Sequence, residues 1–144
     1  MIDTLSNGND ERMVHAQELT KNQSLVLDVL SHTEGPLSAY SLLDQLRDKG
    51  FRAPLQVYRA LDKLMEFGLV HRLESINSFV ACTHSHDHKH GVIAFGICDT
   101  CGRVDEFCDA VVEERLKGWS KDHAFRLSKT TIEMRGTCAN CLAA

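Results

Sequence analysis

No stretch of the 144 residues is apolar over the ~18 to 20 positions that a membrane-spanning helix requires, which excludes a helical integral membrane protein. The first twelve residues, MIDTLSNGNDER, lack the basic-then-apolar order of a secretory signal, so a cytoplasmic chain is expected. Positive charge is not in excess. With 16 Lys and Arg against 20 Asp and Glu the formal charge is −4, and a generally basic nucleic-acid binder is excluded; any DNA contact must come from a local surface. The His-Glu-x-x-His motif of zinc hydrolases is missing too. Without it or another open-sided metal set, neither an enzyme nor a small-molecule substrate is expected. Finally, the first 81 residues contain no cysteine at all.

What is present is an unusual concentration of metal-binding side chains after that point. All six cysteines lie at or beyond Cys82, and four of the eight histidines (His84, His86, His88, His90) fall within seven residues. In a reducing compartment such cysteines are better explained by metal ligation than by disulfides. The charge is also uneven, with net values of −3 over residues 1–19, 0 over 20–80 and −1 over 81–144. Apolar residues at 43% and charged residues at 25% give an ordinary globular balance, and the length suits one domain or two small ones. Two halves with different chemistry follow.

The first half reads as helices. Thr20-Lys21-Asn22-Gln23 has the form of a capping box, and Leu25, Val26, Val29 and Leu30 follow at helical spacing, which predicts a helix over about 21–32. Gly35-Pro36 breaks it. Ser38 caps a second helix with Leu42, Leu43 and Leu46 on one face, ending at Gly50. Ala53-Pro54 opens a third, with Val57, Ala60, Leu61 and Leu64 inward and a stop at Gly68. Its other face carries Gln56, Arg59 and Lys63, with Tyr58 beside them. Arg and Gln can pair with guanine and adenine edges, and Lys and Tyr can position a protein on phosphates, although a merely solvated face is the plainer reading of this helix alone. The β-prone segments 70–74 and 78–81, joined by Ser75-Ile76-Asn77, form a hairpin. Helix, turn, helix and hairpin make a winged helix-turn-helix, and the wing tips the balance toward double-stranded DNA.

The second half is organised by two C-x-x-C pairs, Cys98/Cys101 and Cys138/Cys141. A two-residue spacer lets a tight turn aim both sulfurs of a pair at one ion, and four thiolates satisfy tetrahedral zinc. A redox motif would account for one pair only. Strands are expected at 92–97, 103–107, 125–127 and 131–134, with a helix capped by Asp109 and running to about 121. The fold class is therefore α+β, an N-terminal winged helix plus a small C-terminal α/β unit with a four-cysteine zinc site. The exposed strand edge of such a unit favours a homodimer, which would also suit two-fold DNA half-sites. The expected division is 1–82 (with 1–14 a leader), a His-rich linker at 83–91, and 92–144.

The segments Ser38-Ala39-Tyr40-Ser41-Leu42-Leu43-Asp44, Val57-Tyr58-Arg59-Ala60-Leu61, His71-Arg72-Leu73-Glu74-Ser75 and Ile97-Cys98-Asp99-Thr100-Cys101-Gly102, in that order, resemble the ferric uptake regulator family and, within it, the zinc-sensing subgroup. The resemblance covers about residues 15–142. It implies a homodimeric repressor of zinc-uptake genes that binds operator DNA when zinc-loaded, with two Zn²⁺ per subunit. It places a structural zinc on Cys98, Cys101, Cys138 and Cys141, and a regulatory zinc on His71, Cys82, His90 and Glu106, with His88 as the alternate to His90. It also assigns operator contact to Tyr40 and Arg59, with Tyr58 adjacent. Three departures stand out: a linker one residue longer between Cys82 and Cys98, Leu55-Gln56 in place of proline-threonine, and Thr130 where iron-sensing members carry a histidine. The thiolate of Cys82 is a soft ligand and favours zinc over iron or manganese. The competing readings are an iron- or peroxide-responsive regulator on the same scaffold, and a zinc buffer using His84, His86, His88 and His90. Cys108 receives no ligand role.

Overall fold

The computed structural model of the protein describes residues 19–83 and 92–144. The chain begins with α1 (Lys21–His32), α2 (Ala39–Leu46) and α3 (Pro54–Glu66), each starting where the sequence supplies a cap. Thr20 and Gln23 exchange the two bonds of a capping box at 3.2 and 3.0 Å. The Ser38 hydroxyl accepts from the Ser41 N–H. Pro54 sits in the first turn of α3, where its missing N–H costs nothing. The expected second helix to Gly50 is divided: α2 ends at Leu46 and a 3-10 turn (Arg47–Lys49) carries the chain to Gly50, whose φ of 101° is open to glycine at little cost.

Val26, Leu30, Leu42, Leu43, Leu46, Val57, Ala60, Leu61 and Leu64 make one buried core. Each large side chain buried in this way contributes on the order of 1.5–3 kcal/mol of transfer free energy. The hairpin follows as β1 (Val70–Leu73) and β2 (Ser78–Ala81), antiparallel with His71 opposite Val80. Its turn is a 3-10 segment (Glu74–Ile76) closed by Asn77 in the left-handed region. The wing also gains a third strand position that periodicity did not signal: Leu37 and Phe79 exchange backbone bonds of 3.0 and 2.8 Å.

The second half forms β3 (Val92–Cys98), β4 (Val104–Asp109), α4 (Ala110–Asp122), β5 (Ile132–Gly136) and the single turn α5 (Ala139–Leu142). The sheet order is β4-β3-β5, with β3 antiparallel to β4 and parallel to β5. The strand expected at 125–127 does not form. Ala124 adopts a φ of 50° and the Phe125 N–H folds back onto the Ser120 carbonyl at 2.7 Å, so the residues that follow leave α4 with no ladder partner. Composition favoured a strand there, and the helix C-terminus prevailed.

The two halves meet through the wing. Leu73 is buried with Phe95 and Ile97, and Ile76, Val80, Ile93 and Val104 pack around them. Among the described residues, no helix is long and apolar enough to cross a membrane.

Candidate metal centres and nucleic-acid interface

Parallel pairing of β3 with β5 brings the two cysteine pairs together. Cys98 ends β3 opposite Gly136, and Cys138 follows two residues after β5. The Asp99 N–H donates to the Gly136 carbonyl at 2.8 Å, and Arg135 places two guanidinium nitrogens on Asp99 Oδ1 at 2.7 and 2.8 Å. Gly102, with a φ of 79°, donates its N–H to the Cys98 carbonyl and turns Cys101 back over Cys98. At the other pair, Cys138 precedes the one turn of α5 and Cys141 lies on it. The four sulfurs lie within 4.8 Å of one another.

The electrostatics of this cluster suit a cation. The N–H groups of Cys101 and Cys138 point at Cys98 Sγ from 3.5 and 3.3 Å, and these bonds, the Cys101 one first, hold the Cys98 thiol down at about 6. Cys141 moves the other way. Its bond with the Cys138 thiol, burial and the neighbouring sulfurs push it up to about 12. Four sulfurs this close cannot all ionise without a compensating positive charge, and a bound divalent ion is the usual source of it.

A second cluster sits where the wing meets the sheet. His71 on β1, Cys82 just beyond β2 and Glu106 on β4 bring a nitrogen, a sulfur and a carboxylate oxygen within 4.8 Å of one another. His71 Nε2 is 3.0 Å from Glu106 Oε1, and the two side chains are only 18% and 4% exposed. Phe95 stands beside the imidazole, ring centroids 5.5 Å apart. Glu106 Oε2 accepts from the Thr83 N–H at 2.8 Å and from the Thr83 hydroxyl. Such an outer partner orients a ligating carboxylate, and Thr83 carried no signal in the sequence beyond standing next to Cys82. A mixed N, S, O set fits zinc. His90 and its alternate His88, with His84 and His86, lie outside the described residues, as does the leader.

Cys108 joins neither cluster. It is half-buried on β4, and burial together with the charges of Glu106 and Glu113 raises its thiol above the ordinary range.

The expected DNA face is open to solvent. Tyr40 is 65% exposed at the start of α2, and Arg59 and Lys63 project from the outer side of α3, Lys63 within 3.2 Å of Glu66. Tyr58 is partly buried against the helical core. Gln56 behaves differently from its neighbours. Its Oε1 accepts from the N–H groups of Arg52 and Ala53 at 2.6 and 3.0 Å, so the oxygen that a bidentate adenine contact would use serves the helix N-terminus instead.

Residues 16–135 match the sequence profile of the Ferric uptake regulator family. The chain is 43% identical over 125 residues to the Zinc uptake regulation protein of Escherichia coli K12, spanning 86% of this chain and 72% of that one. Among solved structures, a zinc uptake regulator complexed with zinc and DNA superposes with a TM-score of 0.84 at 39% identity, over 94% of this chain and 92% of the other. The holo form of XcZur gives 0.80 at 39% identity, over 92% and 99%.

Proposed function

Because the chain belongs to the ferric uptake regulator family, we propose that it is a zinc-responsive transcriptional repressor that binds operator DNA when zinc-loaded and represses zinc-uptake genes. The observation that carries this reading is the placement of His71, Cys82 and Glu106. Two of these side chains belong to the wing and its exit, and the third to the sheet, so one site spans the seam between the parts. The similarity to a regulator solved with zinc and DNA supports the same assignment. Residues 1–82 would be the DNA-binding domain, 83–91 the link and 92–144 the dimerisation and metal-binding domain. Nothing in this assignment calls for catalysis, and the site of action would be the cytoplasm.

Two ions per subunit are assigned. Cys98, Cys101, Cys138 and Cys141 would hold a structural one, and His71, Cys82 and Glu106 a regulatory one, completed by His90 or His88. An ion at each site would supply the positive charge that compensates the thiolates and carboxylate. The remaining work belongs to the chain. Holding His71 and Cys82 against Glu106 would fix the angle between the winged helix and the sheet, and hence the position of α3 relative to its twin. Filling both sites would leave the subunit at about −5, because thiol protons would be released as metal entered. The switch is therefore one of geometry, not of bulk charge. By linkage, operator DNA must tighten metal binding by the same factor that metal tightens operator binding.

Dimerisation is supported by apolar surface that a lone subunit leaves uncovered. Val111 (69% exposed), Trp119 (52%), Phe125 (54%) and Met134 (49%) lie on α4, after it and on β5. Trp119 and Phe125 stand together, ring centroids 5.5 Å apart, and exposed apolar patches commonly mark an interface.

Tyr40 and Arg59 are assigned to base contact, Tyr58 and Lys63 to the backbone, and Gln56 to the same DNA-facing set, with its Oε1 also holding the end of α3. Arg59→Ala should lower operator affinity by about 10- to 100-fold, the loss of one good base contact, and leave the zinc content unchanged. A gel shift with and without zinc, paired with metal analysis, checks both halves; loss of metal from the variant would refute the role. In the wild-type protein, the same titration run against zinc and iron separates zinc sensing from iron sensing, and absence of any zinc-dependent shift would overturn the functional reading.

A further inference from the structure

We infer that Glu133 is a metal-independent latch, a positioning residue that holds the wing turn against the C-terminal sheet and thereby helps set the operator-competent orientation. The inference deepens the proposed function and rests on it for its DNA consequence.

The sheet register places the residue. Phe95, on the central strand, pairs with Glu106 on β4 and with Glu133 on β5. Residues paired across a sheet share a face, so two carboxylates bracket Phe95 in one row. That face is the one that meets the wing, since Phe95 and Ile97 are buried with Leu73. Glu106 reaches the base of the wing at His71 and Thr83. Glu133 reaches its far turn. Its Oε2 accepts from the Glu74 N–H at 3.1 Å, and its Oε1 from the Ser75 N–H at 3.2 Å and the Ser75 hydroxyl at 2.9 Å.

Those donors need an outside partner. Glu74 and Ser75 begin the 3-10 turn, and the first N–H groups of a helical turn have no acceptor within it. A carboxylate accepting three such bonds makes a stronger contact than a neutral acceptor would. The geometry has a mechanical consequence. Attachment at Glu106 alone, with an apolar contact beside it, lets the wing pivot about that point; a second attachment on the other side of Phe95 removes the pivot. Glu133 needs no ion for this, so it acts whether or not His71, Cys82 and Glu106 hold metal, and it biases the resting population toward the operator-competent orientation.

The test uses the full-length protein with its structural zinc in place. Glu133→Gln keeps the shape but replaces an acceptor oxygen with a donor NH₂, and Ser75→Ala removes one exposed bond of the three. Glu133→Gln is expected to speed amide exchange in the wing-turn peptide about tenfold without metal at the regulatory site, and to lower operator affinity about tenfold at saturating zinc. Ser75→Ala should shift both readouts the same way by less, and Glu133→Asp should restore part of each, with thermal stability of the helical core unchanged throughout. Wild-type exchange at the turn, or faster exchange with wild-type operator affinity, would overturn the latch. If the wild-type protein binds no DNA with zinc, it is the functional reading that fails, and the exchange comparison still decides whether Glu133 holds the turn.

Discussion

Cys98→Ser is expected to cost the C-terminal half its fold. Cys98 is the buried member of the sulfur cluster, it ends the central strand, and two backbone N–H groups converge on its sulfur. Serine would keep the volume but offer a hydroxyl that stays protonated and binds zinc poorly. The core it must then survive on is thin: apart from Cys98, the buried apolar side chains of the described C-terminal residues are Val92, Ala94, Phe95 and Ile97, all on β3, of which Phe95 and Ile97 pack against the wing, and α4 buries only Ser120. Structural zinc sites are worth on the order of 10–16 kcal/mol in small metal-dependent domains, comparable with the whole stability of a typical protein. Loss of one zinc per subunit, a large fall in melting temperature and dissociation to monomers should appear together, by metal analysis, circular dichroism and sedimentation. A variant that melts like the wild type and retains its metal would remove the four-sulfur site from the account.

Cys82→Ser should have the opposite profile, a folded dimer that no longer responds to zinc. Cys82 is half-buried at the exit of the wing, and its backbone bond to the Leu69 carbonyl does not involve the sulfur. The substitution removes the one soft donor of the seam cluster and leaves His71 and Glu106 facing each other. Coupling between sites typically amounts to about 1–3 kcal/mol, so the zinc-induced gain in operator affinity, of order 5- to 150-fold, should disappear while the melting curve and structural zinc are kept. Operator titration at low and high zinc measures this. An unchanged zinc-dependent gain would sink the idea that this cluster sets the wing angle.

The contrast between the two variants follows from where each cysteine lies. Cys98 joins strands within one sheet, whereas Cys82 stands between that sheet and the winged helix. Glu133 acts on the same seam as Cys82 but at the far turn of the wing instead of its base, and the carboxylate latch and the proposed metal site should therefore be partly non-additive, because both restrain the same angle.

Much of this protein can be read locally. The Thr20 capping box, the Ser38 and Asp109 caps and Pro54 act within a turn of the chain, and each helix starts where they place it. The core positions Val57, Ala60, Leu61 and Leu64 follow from period alone. The two C-x-x-C pairs are likewise visible by spacing, and the four-thiolate preference of zinc assigned both to one ion. Residues 125–127 misled because an apolar, β-prone run was judged without the helix end that precedes it. Gln56 shows a second use that its spacing did not signal, because a polar residue in the first turn can also serve the helix end.

Tertiary structure decided what spans long distances in sequence. Cys98 and Cys138 meet because β5 lies parallel to β3, a pairing with no local signature. His71, Cys82 and Glu106 meet because the wing packs on one face of the sheet, and register determines which strand residues occupy that face; a slip by one residue would turn Glu106 and Glu133 to the other side. Read along the chain, both glutamates look like ordinary solvated strand positions. The sequence by itself determined the helices, their caps, the ligand inventory and the chemistry that inventory can do. Only the fold decided how those ligands are brought together and which carboxylates reach the wing, because those contacts depend on strand register and on the docking of two units, and neither is encoded within any single segment.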